Sequence, residues 1–166
     1  RPDLIVLYAS NGNRAAAAAF HRAGVPTLTL HTDRVADLPR ALHWLGRAVG
    51  DSATARRVAD SVTRSLDAVR AMPRGATTPT VFWHVWDAPV ITIGVGSYLD
   101  ELGTIAGARN VFGDLPQPSP QVTLESVAQR NPGFVLAGPV AAARLRTEAR
   151  WQAVPAVRQG HVLVID

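Results

Sequence analysis

The apolar pattern of the first thirty residues predicts a β-α-β unit. Residues 4–9 form a continuous apolar run, residues 13–23 are rich in alanine, and residues 25–30 form a second apolar run after Gly24. Continuous runs, in contrast to alternating ones, are typical of parallel strands that are covered on both faces. The pattern therefore predicts an α/β fold with a parallel sheet.

Two helices are predicted next. Apolar residues keep a helical stripe from Leu38 to Val49 that stops at Gly50, and Asp51 and Ser52 can cap a second helix that ends by Pro73. Residues 75–79 are rich in Gly, Thr and Pro, which marks a loop and a boundary. We therefore predict a partial N-terminal lobe at 1–50, an interlobe helix at 51–75 and a C-terminal lobe at 76–166.

The C-terminal lobe is predicted to alternate strands and helices. Strands are expected at 80–85, 90–93, 134–137 and 160–166, and helices at 97–106, 124–129 and 141–149. Loops are expected at 86–89 and 110–120. The glycines at 94–96 superficially resemble a phosphate loop, but the third glycine and the downstream acidic residue are absent, so a tight turn is the better interpretation.

The two ends of the chain resemble each other. Residues 1–7 are similar to residues 131–136, and each stretch is followed by a helix, a proline and an apolar strand. This echo indicates a duplicated domain. The second copy has about fifty residues of strand and helix before its Asn-Pro, whereas nothing precedes Arg1-Pro2, so we expect the front of the first lobe to be missing from this sequence.

Composition excludes several classes of function. The chain has no cysteine, so it can hold neither a disulfide nor a thiolate metal site. All 17 basic residues are arginine, but the net charge is only +4 and acidic residues are interspersed, so nucleic-acid binding is not predicted. The longest apolar runs have the length of strands, and the chain shows no signal-peptide pattern.

Several stretches of the chain resemble one known family. Residues 86–94, 96–102 and 106–114 resemble, in order and spacing, the C-terminal lobe of cobalamin and iron-complex binding proteins of ABC importers. A proline-containing loop at 117–121, Thr-Leu-Glu at 123–125 and Asn-Pro-Gly at 131–133 follow as in that family, although Gly133 replaces its aspartate. The start of the chain and its capped helices also resemble the family's N-terminal lobe, so the likeness covers nearly the whole chain.

The resemblance implies two Rossmann-like lobes with mainly parallel sheets, joined by a long interlobe helix, with the ligand in the cleft between them. It implies an extracytoplasmic binding protein, in the periplasm or as a cell-surface lipoprotein, that captures a cobalamin-like ligand and delivers it to an ABC permease. Haem or a ferric siderophore is the alternative cargo. The corrinoid or iron complex is then a transported ligand, and no cofactor, bound metal or catalysis is expected. A fragment without its front is expected to bind poorly or to form a homodimer that covers its exposed sheet edge.

Candidate ligand-binding residues follow from the fold class. Ligands of open α/β sheets bind outside the carboxyl ends of the strands, so the residues just after each strand are candidates. In the first lobe these are Tyr8, Ser10, Asn11 and His31. In the second lobe they are Trp86, Asp87, Pro89, Tyr98 and Pro139.

Trp86 is the sharpest candidate, because an indole on a loop offers a flat apolar face to a corrin or porphyrin ring. The alternative, that it closes the core, is less favoured because Trp83 on the preceding strand can take that role. Trp44 and Trp151 are predicted to be packing residues. Asp87 can hydrogen-bond a ligand amide or propionate, or cap the turn before Pro89.

Iron ligation is a possible additional role of two of these residues, and permease docking is the predicted role of one further residue. Tyr98 or His31 can supply an axial ligand if the cargo is haem, although an isolated Tyr or His is more often structural. Glu125 lies near a helix start, where the helix dipole favours a carboxylate whatever the function. The resemblance adds a second role for Glu125, which is docking onto arginines of the permease.

Two other classes of function stay open. A Rossmann-like enzyme receives little support, because no GxGxxG or P-loop follows a strand and no Gly-x-Ser-x-Gly elbow is present. An interaction module would keep the fold but fill the cleft with its own side chains. An open apolar cleft with Trp86 exposed would favour a binding protein instead.

Overall fold

The computed structural model describes residues 2–165, which form two compact units. The first unit extends to Arg64 and the second begins at Ser65, so the division lies inside one long helix. Both units contain parallel strands that alternate with helices, which confirms the predicted α/β class with mainly parallel sheets. None of the helices in the described part of the chain is both long and apolar enough to cross a membrane.

The first unit is built around one parallel strand pair. Its elements are β1 (Ile5–Tyr8), α1 (Asn11–Arg22), β2 (Thr27–Leu30), a 3-10 helix (Val35–Asp37), α2 (Leu38–Ala48) and α3 (Ser52–Arg70), the last of which continues into the second unit. Strands β1 and β2 are parallel, with Ile5 opposite Thr27. Helix α1 begins after Ser10, whose hydroxyl accepts a hydrogen bond from the Asn13 N–H. The predicted β-α-β unit is therefore confirmed.

Two expectations about burial in the first unit are not met. Strand β1 has alternating exposure, and Val6 and Tyr8 are each 48% exposed, so the sheet is not covered on both faces. Trp44 is 46% exposed, so the prediction that it is a packing residue is wrong. Its ring instead meets the edge of His43, and the Arg47 guanidinium lies 5.7 Å from the ring centroid.

The second unit contains a four-stranded parallel sheet and a separate hairpin. Its strands are β3 (Thr80–His84), β4 (Trp86–Asp87), β5 (Val90–Ile91), β6 (Arg109–Asn110), β7 (Phe134–Ala137) and β8 (Val162–Val164). Its further helices are α4 (Tyr98–Ile105), α5 (Leu124–Arg130), α6 (Pro139–Thr147), a 3-10 helix (Ala149–Ala153) and α7 (Pro155–Arg158). The sheet has the order β6-β3-β7-β8, and β4 pairs with β5 in an antiparallel hairpin within the region predicted as a loop and a short strand.

Strand β3 carries the core of the second unit on both of its faces. Phe82 is fully buried in a cluster with Trp151 and Phe112, and the Phe82 and Trp151 ring centroids are 6.1 Å apart. On the other face Trp83 packs with Ile93 and is only 7% exposed. The predicted packing roles of Trp83 and Trp151 are confirmed. Burying one large apolar side chain contributes about 1.5–3 kcal/mol, so this double-sided core anchors the sheet.

The glycine-rich segment before α4 is a tight turn, as predicted. The Gly94 N–H donates to the Pro118 carbonyl at 3.2 Å, so the two backbones lie against each other. Gly96 has a φ of 88°, a left-handed conformation that favours glycine. Ser97 then caps α4 by accepting the Leu99 N–H.

Candidate ligand-binding pocket beside Trp86

The β4-β5 hairpin presents Trp86 at the surface of the second unit. Trp86 lies opposite Ile91 and is 61% exposed, and its indole N–H donates to the Ala88 carbonyl at 3.1 Å. It borders a cavity of about 340 Å³. The wall of this cavity includes the side chains of Trp86, Asp87, His84, Val140 and Arg144.

The wall of this cavity is mainly apolar, with one hydrogen-bonded carboxylate. Val140, at the start of α6, is 78% exposed and supplies an aliphatic surface beside the Trp86 indole. The Asp87 side chain is only 17% exposed. A mainly apolar wall with a few fixed polar groups is the usual character of a small-molecule site.

Four side chains contact the Asp87 carboxylate. It accepts hydrogen bonds from the Trp151 indole N–H at 3.2 Å, from Arg144 Nη2 at 3.3 Å and from Arg150. Nε2 of His84 lies 3.5 Å from Asp87 Oδ1. These contacts join the hairpin to α6 and to the 3-10 helix that follows it, and none of them is a bond to the turn before Pro89.

Glu148 shares both arginines with Asp87. It accepts from Arg144 at 2.9 Å and from Arg150 at 3.1 Å. The hydrogen bonds from Arg144, and next those from Arg150, lower the pKa of the Glu148 carboxyl. We call Asp87, Arg144, Glu148 and Arg150 the charge cluster. Its two guanidinium groups and two carboxylates have formal charges that cancel.

Arg144 is the positively charged residue of the pocket wall, and sequence reasoning missed it. Arg144 on α6 and Arg150 on the following 3-10 helix both bind carboxylates. The spacing of Arg144 and Glu148 by four residues was a usable signal for one of these ion pairs. The link to Asp87 spans 57 residues, and no local pattern predicts it.

His84 is the buried titratable residue of the pocket wall. Its side chain is 3% exposed, and its Nδ1 has no hydrogen-bond partner among residues 2–165. The ring packs edge-on to Trp151, with ring centroids 5.3 Å apart. His84 therefore packs as a core residue whose Nε2 faces Asp87.

The other predicted residues of the second unit are not among the residues that line this cavity. Pro89 is exposed in the hairpin turn, after a cis peptide bond. Tyr98 is the first residue of α4 and is 46% exposed, and Pro139 is the exposed first residue of α6. Glu125 is exposed in the first turn of α5, whose cap Thr123 accepts the Ser126 N–H. Their predicted roles in binding and docking stay predictions.

Two of the first unit's candidates meet at Asp33, a residue that sequence reasoning did not select. The Tyr8 hydroxyl donates to the Asp33 carboxylate, and this hydrogen bond raises the pKa of Tyr8 above its ordinary value. The His31 Nδ1 lies 3.7 Å from Asp33. Within residues 2–165, no group of three or more His, Asp or Glu side chains is arranged to hold a metal ion.

Ser10 and Asn11 already have local hydrogen bonds at the start of α1. The Ser10 hydroxyl accepts the Asn13 N–H at 3.2 Å, and the Asn11 side-chain oxygen accepts from Arg14 at 3.2 Å. Ser10 is therefore explained by helix capping, and Asn11 by a surface contact. Neither observation tests a ligand role.

Comparison with known proteins identifies the family of this chain. A family model described as "Periplasmic binding protein" matches residues 1–166. The chain belongs to the periplasmic binding protein family. This is a family of binding proteins rather than a class of enzymes.

Individual proteins with a similar sequence or a similar fold match almost the whole chain. A vitamin B12-binding protein of Vibrio parahaemolyticus is 24% identical over 98% of this chain and 59% of its own length. Among solved structures, a periplasmic vitamin B12 binding protein of Vibrio cholerae has a TM-score of 0.80 at 21% identity over 99% of this chain and 65% of its own. A periplasmic heme-binding protein of Roseiflexus has a TM-score of 0.82 at 20% identity over 100% of this chain and 67% of its own. The chain thus spans about three fifths of the curated relative.

Proposed function

We propose that this chain is the ligand-binding part of an extracytoplasmic receptor for a cobalamin-like ring ligand, which it delivers to an ABC permease. The observation that carries the proposal is the exposed Trp86 indole on the wall of an open, mainly apolar cavity. The named activity of curated relatives, vitamin B12 binding, supports the same ligand class. The receptor would work in the periplasm or as a cell-surface lipoprotein.

The physical basis is the burial of one aromatic face. Large aromatic side chains bury about 150–250 Å² each, and burial contributes about 25 cal/mol per Å². Trp86 is 61% exposed, so much of this surface is available to a ligand. A planar ring that covers it would gain about 2 kcal/mol from this side chain alone.

Haem is the second candidate ligand. The fold similarity to a periplasmic heme-binding protein supports it, and so does the half-exposed phenol of Tyr98, because phenolate is a common haem-iron ligand. His31 is the alternative axial ligand, with its side chain 63% exposed. A ferric siderophore belongs to the same size class of ligand. The open cavity beside Trp86 favours any of these ligands over an interaction module whose own side chains fill the site.

Glu125 is our candidate for permease docking. It is exposed at the start of α5, where a carboxylate can meet arginines of a partner. An exposed ion pair contributes roughly 0–1 kcal/mol, so this contact would orient the complex more than tighten it. A Glu125→Gln variant should bind ligand like wild type while ligand uptake through the permease slows. Unchanged uptake would remove Glu125 from the docking surface.

The proposal is tested by titrating the chain with cyanocobalamin, haemin and a ferric siderophore, followed by tryptophan fluorescence and by calorimetry. Trp86→Ala should weaken binding of the preferred ligand about tenfold or more. Trp44→Ala is the matched control, because Trp44 is also exposed but belongs to the first unit and does not line this cavity. Equal affinity of wild type and Trp86→Ala would contradict the pocket assignment, and no binding to any of the three would contradict the function.

A further inference from the structure

The charge cluster gives the pocket wall a balanced charge. Asp87 and Arg144 both border the cavity, while Arg150 and Glu148 complete the cluster behind them. Arg144 Nη2 lies 3.3 Å from Asp87 and 2.9 Å from Glu148, so one guanidinium is shared by two carboxylates. The positive charge of Arg144 in the wall is therefore already neutralised by carboxylates of the protein.

We propose that Asp87 determines the charge class of the ligand. By neutralising Arg144 and Arg150, it makes the pocket favour a ring with uncharged polar arms, such as carboxamides, over a ring with carboxylate arms. The inference rests on the proposed function, and it assigns Asp87 a role other than direct contact with the ligand. Asp87 is the specificity-determining residue because it sets the electrostatic field around the polar side groups of the ligand.

The position of Asp87 is fixed from the core. Trp151, fully buried, donates its indole N–H to Asp87 Oδ1, so the carboxylate cannot turn away from the arginines without losing that bond. The Asp87 side chain is 17% exposed against 29% for Glu148. Of the two carboxylates, Asp87 is the one held beside the cavity, and solvent screens its charge less.

Removal of the Asp87 charge should shift the ligand preference of the pocket toward ligands that carry a carboxylate. In Asp87→Asn, Arg144 and Arg150 would share only Glu148, which leaves one uncompensated positive charge at the wall. A ligand carboxylate about 8 Å away, at an effective dielectric constant of about 40, would gain about fivefold in affinity from that charge. A neutral ligand of the same shape would gain nothing.

The test uses two ligands that differ by one charge. Cyanocobalamin and its monocarboxylic acid, in which one carboxamide is hydrolysed, are titrated at pH 8 and low salt by calorimetry. Wild type should prefer the neutral ligand, and equal or stronger binding of the acid by wild type would contradict the inference. In Asp87→Asn the ratio of the two affinities should move about fivefold toward the acid, and about 0.5 M salt should remove most of that shift.

Two further variants separate this role from a structural one. Glu148→Gln makes the same change of charge at a more exposed position, so it should move the ratio in the same direction. Asp114→Asn is the matched control, because Asp114 pairs with Arg130 in the same unit and does not line this cavity. The control should leave the ratio unchanged.

Each outcome has a distinct meaning. If wild type binds cyanocobalamin but the ratio stays constant in both Asp87→Asn and Glu148→Gln, the inference is wrong and the proposed function stands. An equal loss of affinity for both ligands in Asp87→Asn, without a shift in Glu148→Gln, would show a structural role and also overturn it. If wild type binds neither corrinoid, the assignment of a cobalamin-like ligand fails and the inference fails with it.

Discussion

Replacing Gly94 by alanine should destabilise the second unit through a steric clash. A Cβ at position 94 would lie 2.1 Å from the Gln117 carbonyl oxygen and 2.6 Å from the Leu115 carbonyl oxygen. Both are backbone atoms, so no side-chain rotation relieves the contact. Separation of the two segments would also weaken the bonds that Gly94 and Val95 donate to Pro118 and Leu115. Overpacking costs typically about 1–3 kcal/mol and each lost hydrogen bond about 0.5–1.5 kcal/mol, so we expect a loss of about 2–4 kcal/mol.

The loss is measured by urea denaturation, followed by circular dichroism and by tryptophan fluorescence. At about 2–4 °C per kcal/mol for a chain of this size, the melting temperature should fall by roughly 10 °C. Gly138→Ala is the matched control, because Gly138 has a φ of −63° and a Cβ there would have no neighbour within 4 Å. We expect the control to change stability by less than about 0.5 kcal/mol. If Gly94→Ala proves as stable as Gly138→Ala, the close backbone approach at Gly94 is refuted.

Three further predictions concern a core indole, a helix end and a phenol. Trp151→Phe should lower the free energy of unfolding by about 1–3 kcal/mol in chemical denaturation, because it removes the indole N–H that donates to Asp87; a loss below about 0.5 kcal/mol would contradict this. Asn131 has a φ of 44° at the end of α5, so Asn131→Gly should match wild type while Asn131→Ala loses about 1 kcal/mol in the same assay; equal stabilities would count against strain there. Since Asp33 raises the Tyr8 pKa, the stabilisation is present below the unfolded pKa of about 10 and is lost as pH rises through the folded pKa. Absorbance at 295 nm should show this late phenol titration, and Asp33→Ala should abolish it.

The sequence predicted the larger elements well because their signal is local. Apolar runs and helical stripes depend on neighbours a few residues apart, and these produced the β-α-β start and the strands that became β3 and β7. The β4-β5 hairpin has two residues in each strand and α7 has four residues, which are too short for any periodicity to show. Short elements of this kind form because tertiary contacts support them.

The burial of Trp44 was predicted from its residue type alone, although its position on the helix indicates exposure. Trp44 lies between Leu42 and Leu45 of the apolar stripe on α2 but outside the stripe itself, and it is 46% exposed. Trp83 was assigned to the core because it lies on an apolar strand, and Trp86 was placed on a loop; their exposures of 7% and 61% agree with these positions, while ligand contact by Trp86 stays a prediction. The position of a tryptophan within its element is thus more informative than its hydrophobicity.

The polar part of the pocket could not be predicted, because its residues are far apart in sequence. Asp87 meets Arg144, Arg150 and Trp151 across 57, 63 and 64 residues. For Asp87 the sequence offered only a ligand or the adjacent turn as hydrogen-bond partners, whereas the structure shows Arg144, Arg150 and Trp151. A long-range contact needs the topology of the sheet, which places β3 beside β7 and so brings the residues after each strand together.

The exposed position of Trp86 is itself a consequence of the core. A hairpin with two residue pairs is too small to be stable alone, yet this one holds a large apolar side chain in solvent. Backbone bonds fix one side of it, since the Val122 N–H donates to the Val90 carbonyl at 3.0 Å. Asp87 fixes the other side through Trp151, which packs against Phe82. Because the same carboxylate anchors the hairpin and neutralises the arginines, the rigidity of the pocket and its charge cannot be altered independently at Asp87. A change of charge at Glu148 separates the two effects, since Glu148 contacts the arginines but not the hairpin.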